Sequence, residues 1–159
     1  MAERETIPSH DGQVTCAGTE DVELITKMVK AAYSIYIDRL GKLPAPMTAD
    51  YSALVATGSV YVLKIDDQTV GAVLLAKGMD SIKLNNLVVD PKYQGRGYGR
   101  ILLEFADKLA RSENLPAITL FTNVLMHENI ALYTKLGFNQ TGRKTENGFD
   151  RVYFRKNLD

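Results

Sequence analysis

The stretch from Val88 to Leu103 constrains the fold more than any other part of the chain. It runs Val88-Val89-Asp90-Pro91-Lys92-Tyr93-Gln94-Gly95-Arg96-Gly97-Tyr98-Gly99-Arg100-Ile101-Leu102-Leu103. An apolar run enters a glycine-rich turn, and a helical pattern leaves it. A strand, turn and helix in that order form the first part of a right-handed crossover, so the next strand should run parallel to this one. Glycines at alternate positions leave main-chain N–H groups unobstructed at a helix start. Unpaired amides and the helix dipole both favour an anion there, so the loop suits a phosphate or pyrophosphate.

Hydrophobic period sorts the other segments. Residues 14–17 read as a short strand, and Thr19 as the N-cap of a long helix. Val22, Ile25, Met28, Val29, Ala32, Tyr33 and Ile37 recur at three- and four-residue steps, which makes one apolar helical face. Gly41 and Pro44 end it. Leu43-Pro44-Ala45-Pro46-Met47 is stiff, because each proline fixes its own φ and biases its predecessor towards extended shapes. Thr48 caps a short helix through residue 54 or 56, stopped by Gly58. The period then changes to that of strands: 59–65 and 69–76 form a hairpin, and 81–89 is a third strand. A helix over 99–112, a strand over 116–122, a helix over 126–136 and strands over 138–143 and 150–155 complete the series. The expected class is α/β (α+β), a mixed, mostly antiparallel central sheet of about six to seven strands flanked by about four helices. Residues 1–12 are polar and patternless and read as a flexible tail, leaving 13–159 as one domain.

Lys+Arg and Asp+Glu both number 19, so neither nucleic acid nor an anionic membrane surface is an expected partner. Neither a signal-peptide core nor a bilayer-length apolar run is present, which makes a cytoplasmic protein the expectation. The single cysteine, Cys16, excludes an intrachain disulfide and reads as a small buried residue of the first strand. His10 and His127 are the only histidines and no cysteine cluster accompanies them, so no metal site is expected. Ser9-His10-Asp11 has the residue types of a hydrolytic triad, but consecutive residues cannot hold the relay geometry.

Three kinds of glycine loop compete for Gly95–Gly99. A nucleotide-hydrolase P-loop needs Lys then Ser/Thr after its last glycine, and here Arg100-Ile101 follows. A dinucleotide fingerprint needs Gly-x-Gly-x-x-Gly and a later carboxylate for the ribose, whereas the next strand ends Phe121-Thr122-Asn123. The third kind fits. Gln94-x-x-Gly97-x-Gly99 resembles the Gln/Arg-x-x-Gly-x-Gly/Ala signature of the GCN5-related N-acetyltransferase (GNAT) family. Asn86-Leu87-Val88-Val89-Asp90-Pro91 resembles the strand that precedes it, and Asn129-Ile130-Ala131-Leu132-Tyr133-Thr134-Lys135-Leu136-Gly137-Phe138 the family's second signature. The likeness covers residues 14–159.

That resemblance implies an N-acetyltransferase using acetyl-CoA as cosubstrate, with no metal, and a small-molecule or peptide amine as acceptor. Gln94, Gly95, Arg96, Gly97, Tyr98 and Gly99 would cradle the CoA pyrophosphate through their amides. Leu87, Val88 and Val89 would pair with the pantetheine arm as another strand does, and Leu87 or Val88 would supply an oxyanion-binding N–H. Asn129 would lie near the pantetheine, and Tyr133 would protonate the departing thiolate as general acid. Ordinary pKa values near 10 and 8.5 make full transfer uphill by about 2 kcal/mol. Many relatives carry a glutamate where Asn85 stands, so no direct carboxylate base is expected there. Asn85 would orient the amine or a water, or serve the strand alone. Tyr33, Tyr36 and Arg39 are candidates for the acceptor pocket, with Arg39 reading a carboxylate. The plainer alternative makes Arg39 a helix C-terminal charge and Tyr33 core. Other expectations stay open: a non-catalytic acyl-CoA-binding module, an acetyltransferase acting on protein N-termini or lysines, a longer acyl group, and a homodimer paired through the final strands.

Overall fold

The computed structural model describes residues 12–158. The expected tail and the Ser9-His10-Asp11 triplet therefore lie outside the described residues, save for Gly12. The strands are β1 (Gln13–Cys16), β2 (Val60–Ile65), β3 (Gln68–Lys77), β4 (Ile82–Val89), β5 (Ala117–Asn123), β6 (Asn139–Glu146) and β7 (Phe149–Asn157). They form one seven-stranded sheet in the order β1-β2-β3-β4-β5-β7-β6. Pairing is antiparallel for β1–β2, β2–β3, β5–β7 and β6–β7, and parallel for β4–β5, as the crossover required. The helices are α1 (Val22–Tyr33), α2 (Ile37–Leu40), α3 (Tyr51–Ala56), α4 (Tyr98–Ser112) and α5 (His127–Lys135).

Residues fall into two compact units, 12–74 with 86–105 and 75–85 with 106–158. In the first, Ile25, Met28 and Val29 of α1 occupy one helical face. They join Tyr51 and Val55 of α3, Val60 and Val62 of β2, Ala72 and Leu74 of β3 and Val88 of β4 in one apolar cluster. In the second, β4 meets β5 over Ile82–Leu84 with Ile118–Leu120, and β5 meets β7 along its whole length. Ile82, Leu84, Ile118, Leu120, Val152 and Phe154 are buried there.

Local chemistry changes several expected boundaries. Thr19 does not cap the first helix: Asp21 accepts a 2.9 Å hydrogen bond from the Gly18 amide and folds Thr19–Asp21 into a 3-10 turn ahead of α1. The long helix expected to continue through Ile37 breaks at Ser34–Tyr36, a second 3-10 turn, and α2 ends at Gly41 with φ 75°. That break makes five α-helices among the described residues where about four helices were expected. Cys16 is exposed, not buried. It is the last residue of the short edge strand β1, and its successor Ala17 is buried. The β2–β3 and β6–β7 hairpins each close through two left-handed residues, Asp66-Asp67 and Asn147-Gly148, whose twist matches that of the flanking strands.

Gly71 of β3 marks a close approach. A Cβ there would sit 2.9 Å from the Val88 carbonyl oxygen and 3.1 Å from Leu102 Cδ1. Backbone cannot yield as a flexible side chain can. Gly71→Ala is expected to lower stability by about 1–3 kcal/mol in urea unfolding. An unchanged midpoint would contradict the tight contact.

Candidate active site

The loop after β4 is fixed at its start and open at its end. The Asp90 amide donates to Val70 O at 2.8 Å, and its carboxylate accepts from the Lys92 amide at 3.0 Å. The Tyr93 hydroxyl donates to Gln68 at 2.7 Å, and the Gln94 side-chain amide donates to Val89 O at 3.1 Å. Gly95 and Gly97 then adopt φ 82° and 85°, and nothing lies within 4 Å of a Cβ built on either. The requirement for glycine there is conformational, not one of space. Gly99 differs: its Cβ would make an ordinary 3.7 Å contact with Leu87. Gly97 O accepts from Ile101 N at 3.3 Å and opens α4. Among the described residues, the amides of 95–100 have no acceptor. Lys92 and Arg96 lie over the Tyr93 ring, 5.9 and 5.5 Å from its centroid. Donors, helix dipole and cations together make a site for a polyanion.

β4 carries the next group of residues. Ile82, Leu84, Asn86 and Val88 are buried, while Lys83 and Asn85 are exposed and Leu87 and Val89 half-buried. Leu87, Val88 and Val89 lie beyond the last parallel register pair, Leu84 with Leu120. Asn85 therefore falls on the opposite face from Asn86, and it is Asn86 that meets the tyrosines. Tyr33 donates to Asn86 Oδ1 at 2.7 Å, Asn86 Nδ2 donates to the Tyr51 hydroxyl at 3.3 Å, and Tyr51 donates to Pro46 O at 2.7 Å. The Tyr33 and Tyr36 rings meet edge-on at 6.2 Å, and the Arg39 guanidinium stands 4.8 Å from the Tyr36 centroid. Sequence reasoning missed Asn86 and Tyr51. The available signal was a polar residue at a buried position of the β4 alternation.

In the second unit Asn129 and Tyr133 share a face of α5, as their spacing required. Asn129 is half-buried and Tyr133 only 5% exposed. The Tyr133 ring meets Phe138 edge-on at 5.7 Å and Phe154 at 6.3 Å. Phe138 N donates to Tyr133 O and Gly137 N to Thr134 O, with Gly137 at φ 98°, which is a Schellman cap. Leu136-Gly137-Phe138 thus both ends α5 and packs the tyrosine. Asn123 has a turn role: its side chain accepts from the Leu125 amide at 2.9 Å. Burial pushes the Tyr133 hydroxyl up to about 12. Burial does the same to Tyr51, against a smaller opposite pull from the Asn86 hydrogen bond. Among the described residues no group of three His, Cys, Asp or Glu is placed to hold a metal, and no helix is long and apolar enough to cross a membrane.

A family model described as an acetyltransferase (GNAT) domain matches residues 56–140. The chain belongs to the GNAT acetyltransferase family. The peptidyl-lysine N-acetyltransferase YjaB of Escherichia coli is 34% identical over 93 residues, 58% of this chain and 56% of that protein. The [ribosomal protein bS18]-alanine N-acetyltransferase of Salmonella typhimurium is 38% identical over 81 residues, 49% and 53% of the two chains. The chain spans about half the length of the curated relatives it matches. Among solved structures, PaiA N-acetyltransferase from Thermoplasma acidophilum in complex with coenzyme A superposes with TM-score 0.75 at 15% identity, over 92% of this chain and 98% of that one. The ribosomal-protein-S18-alanine N-acetyltransferase from Escherichia coli gives 0.72 at 18% identity, over 93% and 94%. At such identities the likeness shows the fold.

Burial favours the neutral form of a phenol, so Tyr51 and Tyr133 stay protonated as pH passes the ordinary value near 10. The stability tied to those neutral groups is complete below pH 10 and is lost as pH climbs towards 12. Phenolate absorbance is expected to rise in two phases, exposed tyrosines first. A single phase near 10 in folded protein would contradict the burial.

Proposed function

We propose that this chain transfers the acetyl group of acetyl-CoA to a primary amine by direct attack in a ternary complex, and that residues 13–159 are the acetyltransferase domain. The observation that carries this reading is the run of unused amides at 95–100 behind two left-handed glycines. It supports a pyrophosphate held by Gly95, Arg96, Gly97, Tyr98 and Gly99, whereas the Gln94 amide expected to join them donates to Pro91 O at 3.4 Å and its side chain to Val89 O. Leu87, Val88 and Val89, beyond the β5 register, are proposed to pair with the pantetheine arm, and Asn129 to contact it. The Leu87 or Val88 amide is the proposed donor to the tetrahedral oxyanion.

In this reading the amine nitrogen attacks the thioester carbon, the carbon–sulfur bond breaks, and Tyr133 supplies a proton to the sulfur. Burial corrects the simple proton arithmetic: with the phenol at about 12, complete transfer to a free thiolate is uphill by about 5 kcal/mol, not 2. A hydrogen bond that strengthens as the sulfur gains charge avoids that cost. Asn85 is exposed and cannot take a proton, so the amine arrives neutral or loses its proton through water or to another carboxylate.

The acceptor is proposed to be a peptide amine, because relatives are named for peptidyl-lysine and for a ribosomal-protein alanine. Tyr33, Tyr36 and Arg39 are the proposed acceptor side, and a cytoplasmic setting supplies acetyl-CoA. A homodimer joined at β6 is also proposed, and it would have to accommodate the register irregularity at Gln140/Gly142. The second reading, a module that binds acyl-CoA without turnover, is favoured by the missing carboxylate at Asn85.

Calorimetry should detect acetyl-CoA uptake, weakened about tenfold or more in Gly97→Ala, which strains the left-handed turn. Uptake of NAD with none of acetyl-CoA would overturn the reading. Thiol release with an alanine-terminated and a lysine-containing peptide should fall about a hundredfold or more in kcat for Tyr133→Phe, with acetyl-CoA affinity within about twofold. Binding without any release would favour the module.

A further inference from the structure

We infer that Asn86 is a positioning residue for the acceptor side, tying the proline-rich segment 43–48 and the end of α1 to β4. The inference rests on the acetyltransferase reading above only for what the tethered segment does, not for the tether itself. Pro46 O can only accept, and it takes the single hydroxyl proton of Tyr51. Tyr51 must then accept from Asn86, which turns Nδ2 towards it and leaves Oδ1 for the Tyr33 hydroxyl. The amide orientation is thus forced, and every donor in the series points the same way.

Packing alone does not call for an asparagine at this position. Its register neighbours Ile82, Leu84 and Val88 are apolar and buried, and Asn86 is 7% exposed among them. A buried amide is tolerated only when satisfied, and it then fixes one arrangement where an apolar residue would allow several. The arrangement fixed here joins residues far apart in sequence: Tyr33 of α1, Tyr51 of α3 and Pro46 between α2 and α3. Asn86 also directly precedes Leu87, a proposed oxyanion donor. Loosening it should shift the acceptor side relative to β4 and leave the pyrophosphate loop, anchored separately through Asp90 and Gln94, in place.

The test uses Asn86→Leu, Tyr51→Phe and the double variant, with the alanine-terminated and lysine-containing peptides as probes. Acceptor KM should rise about tenfold in each, the equivalent of one hydrogen bond, while acetyl-CoA KM stays within about twofold. The double variant should be no worse than Asn86→Leu, because both remove the same tether. Tryptic cleavage after Lys42, at the entrance to the segment, should quicken in parallel. Unchanged acceptor KM with unchanged cleavage overturns the inference, as does an equal rise in both KM values. Tyr51→Phe keeps its ring in the core and decides the matter if Asn86→Leu melts. A wild-type chain that takes up no acetyl-CoA defeats the functional reading instead, and the cleavage rates then decide the tether.

Discussion

Gly95 and Gly97 hold left-handed backbone in a loop whose first residues are pinned to the sheet. That constraint decides how β4 becomes α4. With those two φ angles in place, the chain turns without spending its amides on itself, and α4 starts with its donors outward. An ordinary turn would satisfy some of those donors internally and weaken the local field. The same loop stands at the end of the strand that carries Asn86 on one face and Asn85 on the other.

Much of this was legible in the sequence because the signals are local. The glycine spacing and the four-residue step from Asn129 to Tyr133 each rest on a few adjacent residues, and each appears as expected. What escaped is non-local or finely balanced. Tyr33, Asn86 and Tyr51 are separated by long stretches of chain, and only the fold makes them partners. The first helix looked continuous because its apolar steps persist through Ile37, whereas the backbone tightens to a 3-10 turn at Ser34–Tyr36. Cys16 reads as buried but is exposed, because a four-residue strand offers too little alternation to phase it.

The tyrosines have divided duties. Tyr51 is sealed by its neighbours and spends its proton on Pro46. Tyr133 is as deeply placed, packed by the rings of Phe138 and Phe154, and burial raises its pKa. A phenol in that condition holds its proton firmly, which suits it to stabilise nearby negative charge by donation more than by giving the proton away.

The stop signal after α5 has a mechanical corollary. Phe138 closes the helix end with its amide and braces the Tyr133 ring with its own ring, through a glycine that alone tolerates the bend. Termination and alignment are therefore one device. A side chain at residue 137 would strain the left-handed bend on which both the helix stop and the Phe138–Tyr133 ring contact depend.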